Sequence, residues 1–155
     1  MSPLVARLRA QVEADVRLAR LQLGRLDDFG ETRDEGETAR AAIALHHAYG
    51  ALESALDRCV ITLEGARPQG LDSHRALLEL VALELPGVRP ALVGADTLRM
   101  LHELRRFHHF FHHAYGVDLD PERIATLIGA VKRGLPALDG DLERLATFLA
   151  ALERA

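Results

Sequence analysis

HELRRFHHFFHHAYG, residues 102–116, gathers five of the chain's eight histidines, two adjacent arginines, three phenylalanines and a tyrosine on one short segment. At about 100° per residue, Met100, Leu101, Leu104, Phe107, Phe111 and Ala114 fall on one side, and His102, Arg106, His109 and His113 on the other. That division predicts an amphipathic helix with an apolar face for a core and a cationic, histidine-lined face outside. Arg106 precedes His113 by two turns and His109 precedes it by one, so guanidinium and imidazole can converge on a single anionic group. A phosphate suits that pair.

The rest of the chain reads as helices that carry this one. Ser2 and Pro3 make a helix start, and Leu4, Leu8, Val12, Val16, Ala19, Leu23 and Leu26 recur at three- and four-residue spacings, which predicts a first helix ending near residues 27–30. After a polar, acidic loop, a second helix is expected from about Glu35 or Glu37 to Leu63. His46, Tyr49 and Glu53 share one of its faces, either as a packing cluster or as support for the histidine-rich helix. Gly50 reads as a place for close helix approach and Gly65 as a terminator. Asp72 or Ser73 caps a short helix running to about Leu85, and Pro86, Gly87 and Pro90 break it. The histidine-rich helix then starts near Asp96 and ends at Gly116. Asp120 and Pro121 open the tail, where Pro136 and Gly140 predict a kinked helix or two stacked ones. Few residues read as strand, so the expectation is an all-α antiparallel bundle of about five helices in a single domain, 1–155.

Composition narrows the function. A formal net charge of −4 gives no general affinity for polyanions, so any nucleic-acid contact must come from a local basic face. Cys59 is the only cysteine, which forbids an intramolecular disulfide, and its place on an apolar face predicts a buried, inert thiol. No run approaches the roughly 18 apolar residues of a membrane span, and the N-terminal residues lack a long apolar stretch. A soluble, cytoplasmic protein that does not enter membranes is expected.

Arg106, the six residues that follow, His113, Ala114 and Tyr115 resemble the signature of the HepT-like toxins of the HEPN superfamily. LELVALELPGVRP at 78–90, the RRF before the motif and AYGVDLDPER at 114–123 resemble the same subgroup. One position departs from the tighter form of the motif, which has arginine five residues before the histidine; His108 stands there. The resemblance implies an HEPN-like helical bundle and a metal-independent endoribonuclease acting on RNA, without cofactor. It also implies a homodimer with two motifs facing one cleft. A partner is implied as well: an MntA-like nucleotidyltransferase antitoxin of a type VII toxin–antitoxin pair, which neutralises the toxin by AMP modification of Tyr115.

In that chemistry a histidine removes the proton of a ribose 2′-hydroxyl, which attacks the adjacent phosphorus while a cation stabilises the developing charge. His113 is the candidate base, since an unperturbed imidazole pKa near 6.5 leaves it largely neutral at pH 7. Arg106, or His108 when protonated, is the candidate phosphate clamp, Tyr115 orients phosphate or base, and His109 and His102 support them. On this reading His108→Arg should raise activity, because arginine keeps its charge where histidine loses it. His108 with His112, and His109 with His113, also have the spacing of helical zinc ligands. Glu103 is the one carboxylate near them and the cysteine lies elsewhere, which argues against a functional metal. The competing reading of the whole cluster is a solvated basic face on a non-catalytic helical interaction protein, with Phe107, Phe111 and Tyr115 as core and an exposed Phe110 as a contact residue.

Overall fold

The computed structural model describes residues 2–29, 34–113 and 119–155, with His113 described by its backbone alone. These residues form five α-helices and one short 3-10 turn: α1 Pro3–Gly24, the turn Arg25–Asp28, α2 Glu35–Glu64, α3 Ser73–Val81, α4 Ala95–His113 and α5 Pro121–Arg154. Among the described residues there is no strand beyond an isolated bridge between Leu85 and Arg89, and no helix is long and apolar enough to cross a membrane. The all-α expectation is met.

Ion pairs fix the helix directions. Asp15 of α1 takes Arg58 of α2 at 2.8 Å. Arg9 meets Glu153 at 2.7 Å, Arg20 meets Asp139 at 3.5 Å and Asp27 meets Lys132 at 3.3 Å, so α1 and α5 run antiparallel. The core between them is aliphatic, with Leu8, Leu26, Leu45, Leu77, Leu101, Leu104, Val131 and Leu149 almost fully buried. Cys59 lies inside it, fully buried, and burial pushes its thiol up to about 12, which makes it unreactive at neutral pH.

Local chemistry sets the helix ends. Asp34 and Asp120 each accept a backbone N–H two residues on, at 2.6 and 3.0 Å, and so cap α2 and α5. Ser2 does not cap α1 with its hydroxyl; Pro3 alone marks the start. Gly65 closes α2 in the left-handed region, φ 88°. Near Gly50 the space is open, so it is not a point of close approach. That role falls to Gly134 of α5, where a Cβ would stand 2.7 Å from the Met100 sulfur and 3.2 Å from its Cβ. The tail is one continuous helix despite Pro136, not two.

α3 ends at Val81, a turn earlier than the sequence suggests, because Arg89 folds back on it. The buried guanidinium donates to the carbonyls of Leu80, Leu83 and Pro90 and pairs with Glu64 at 2.7 Å. α4 then departs from Gly94, whose N–H is taken by the buried carboxylate of Asp141 on α5 at 2.9 Å. Helix α4 is thereby held at its start by α5 and along its length by α2, α3 and α5.

Candidate functional site

His108 turns inward, toward α2, and its ring lies on that of His46, with centroids 4.2 Å apart and planes 8° from parallel. His112 continues the column, parallel to His108 within 1° at 6.4 Å. Tyr49 meets His108 at 4.9 Å and Phe111 meets His46 at 4.9 Å, closing the apolar sides. The Nδ1 atoms of His46 and His108 are both buried without a hydrogen-bond partner.

That setting disfavours charge. Burial first, then the neighbouring His108, His47 and His112 rings, push His46 down to about 4. Burial also lowers His108, against the pull of Glu53 and of a backbone hydrogen bond with His46. Both are neutral at pH 7. His108 is thus a packing ring at the α2–α4 contact and not a member of the outer cationic row.

Below the column, Glu53 gathers two donors. The Tyr49 hydroxyl donates to it at 2.5 Å, and His74 of α3 places Nδ1 2.9 Å from both carboxylate oxygens. Burial, then the Glu53 charge, hold the Tyr49 phenol well above its ordinary range, so it stays a donor. The His46, Tyr49 and Glu53 face legible in α2 therefore backs the histidine-rich helix. His74 had no sequence signal, because it reaches this group from another helix.

The outer face of α4 is different. Arg106 is exposed and held loosely by Glu103 at 3.0 Å, and His109 is exposed beside it. His102 is half-buried and faces α3: Nε2 lies 2.9 Å from Glu79, and Nδ1 lies 3.3 Å from the Arg105 Nε. One neutral tautomer satisfies both, donating to Glu79 and accepting from Arg105. His113 is the last residue of α4, with its side chain outside the described residues, and Tyr115 also lies outside them. Beside Arg106, a groove of about 820 Å³ opens between α4 and the start of α5, floored by Phe107, Phe110, Leu119 and Ile124 and edged by Arg123. Among the described residues, no group of three or more His, Cys, Asp or Glu could hold a metal ion.

A family model described as HepT-like protein matches residues 40–149, the span from early α2 to the last turns of α5. No curated protein and no solved structure matches the chain. A match over more than half the length, covering the helix that bears Arg106 and His113 and the helix that packs behind it, is decisive: the chain belongs to the HepT-like family of the HEPN superfamily.

Proposed function

We propose that this chain is a HepT-like toxin that cleaves RNA without a metal ion, with Arg106 as the phosphate cation and His113 as the base. The observation that carries the reading is Arg106: within the matched span it is exposed on α4, beside a groove wide enough for an unpaired nucleotide, two helical turns before His113. His113 takes the 2′-hydroxyl proton, the 2′-oxygen bonds to phosphorus, and the bond to the 5′-oxygen breaks, that oxygen taking its proton from solvent water while His113 later returns its own to solvent. Arg106 stabilises the charge on the phosphate as it forms. The products are a 2′,3′-cyclic phosphate and a 5′-hydroxyl. Tyr115 is the residue that an MntA-like nucleotidyltransferase antitoxin would modify with AMP, placing further phosphate beside the same groups. No cofactor is called for, and the cytoplasm, where RNA is made and used, is the compartment this role requires.

One arginine and one base per chain make a sparse site, and a homodimer with two α4 helices facing one cleft completes it. The groove supports this pairing. Phe110 is 42% exposed at its floor, while Arg106, Arg123, Glu103 and Glu122 edge it, so its charges of both signs complement those of a second copy across a two-fold axis. Phe110→Asp is expected to give a monomer by light scattering at concentrations where the wild type is dimeric. An unchanged dimer would place the interface elsewhere.

The test of the reading is cleavage of total and single-stranded RNA by the purified chain in excess EDTA, with end-group analysis of the fragments. Cyclic phosphate ends support it. RNA that remains whole, or cleavage that EDTA removes, would leave the non-catalytic helical partner protein as the better account, or a metal as the agent.

A further inference from the structure

We propose that His46 is a positioning residue for the histidine-rich helix: through the ring contacts His46–His108–His112 it clasps the C-terminal end of α4 to α2, and acidification opens the clasp. That the clasped end carries the reacting groups rests on the ribonuclease reading, whereas the clasp itself does not.

The geometry carries the argument. Two helices meet here through face-to-face imidazoles, 4.2 Å apart and within 8° of parallel. Such contact is favourable for neutral rings and repulsive for two imidazolium ions. The third ring, His112, lies parallel to His108 at 6.4 Å and is the penultimate residue of α4, so the ring contacts reach the helix terminus. Phe111 packs on His46 and Tyr49 on His108, so the rings are enclosed by aromatic neighbours, and a backbone hydrogen bond from His108 to His46 ties the two helices at the same point. Both buried Nδ1 atoms lack partners, so a proton placed on either would enter the contact without an acceptor waiting for it.

The surrounding charges set the direction. On α2, His47 faces His46 and Glu53 faces His108; on α3, His74 faces His108; on α4, His112 faces both, and Arg105 acts on Tyr49. The Glu53 carboxylate, the one anion among them, is already engaged by Tyr49 and His74. His46 sits at about 4 when clasped and near its ordinary 6.5 when released. Below the released value, the open form binds more protons than the closed one, so closure weakens as pH falls from about 6.5 toward about 4 and is flat above that window. His108 is lowered too and acts in the same sense.

Hydrogen–deuterium exchange of the full chain, read on peptides covering 102–113 and corrected for intrinsic pH dependence, tests this without requiring any activity. Wild-type protection is expected to be level above about pH 6.5 and to drop at least tenfold by pH 4.5, while α1 and the second half of α5 keep theirs. His46→Phe retains a ring to stack and cannot take a proton, so its loss of protection should shift at least half a pH unit lower. His46→Ala should lose about tenfold protection in 102–113 already at pH 7; should it fail to fold, the phenylalanine variant still decides. Level wild-type protection down to pH 4.5, or the same pH profile in His46→Phe as in the wild type, would overturn the proposal. Where RNA cleavage is found, its acid limb should move with His46→Phe in the same direction; where none is found, the ribonuclease reading fails and the exchange result still stands.

Discussion

His113→Ala is expected to lower metal-independent RNA cleavage by about 10²- to 10⁴-fold, the factor a general base contributes. The expectation follows from its place seven residues after Arg106, a spacing that the helical period puts on one face two turns apart. Arg106→Ala should cost a similar factor through lost stabilisation of the phosphate charge, and the double variant should cost little more than either, since both serve one step. His108→Arg is expected not to raise activity, contrary to what the motif alone suggests. A guanidinium at 108 would have to enter the space where a neutral ring stacks on His46 at 4.2 Å, so it should destabilise the α2–α4 contact instead. Initial rates on one RNA in EDTA, with melting temperatures for each variant, separate these outcomes. Cleavage that survives His113→Ala would remove His113 as the base. A His108→Arg protein that is both stable and more active would show that position 108 can turn outward.

The difference between those two histidines shows where sequence reading stops. Helical period alone placed Met100, Leu101 and Leu104 in the core and Arg106 outside, because each is decided by water on one side and apolar packing on the other. Residue type gave the Asp120 cap and the Gly65 terminator, which depend on neighbours within a turn, whereas the Asp34 cap of α2 emerges only from the structure. His108 sits at the border between faces, and what it does depends on His46, 62 positions earlier in the chain. No spacing within α4 reports that contact. His102 was read with the outer row and is tied to Glu79 of α3 for the same reason. Gly50 and Gly134 look alike in sequence, and they differ only in that α4 crosses Gly134 through Met100 while the space at Gly50 is open. Arg89, in a segment whose prolines and glycine read as a helix break, is the clearest case.

Arg89→Ala is expected to destabilise the fold by about 3–5 kcal/mol, the cost of removing one partner from a buried ion pair. The Arg89 side chain has no exposed surface, and its Glu64 partner is 15% exposed. Four hydrogen bonds leave the guanidinium, one to Glu64 and three to the carbonyls of Leu80, Leu83 and Pro90. Without it, the carbonyls of Leu83 and Pro90 lose the Arg89 donor, that of Leu80 keeps the Leu83 N–H at 3.1 Å, and the largely buried Glu64 carboxylate is left with no cation. For a chain of this size a loss of that order lowers the melting temperature by roughly 10 °C. Arg89→Lys should recover only part of it, since an ammonium on a flexible stem reaches Glu64 but cannot span carbonyls spread around a planar fork. The consequence extends to the site: the segment Arg89 holds is the one from which α4 departs, and Leu92 N–H is bound to the Val81 carbonyl at 2.8 Å just beyond it. Loosening that turn should therefore free the α3–α4 contact between Glu79 and His102 before the α1–α2 pair is affected. Thermal melts of the three proteins check the stability order, and exchange on 95–105 against 40–60 checks the locality. A melting temperature for Arg89→Ala within about 2 °C of the wild type, under about 1 kcal/mol on the same scale, would mean that the carbonyls find other donors and that Arg89 is not what ends α3.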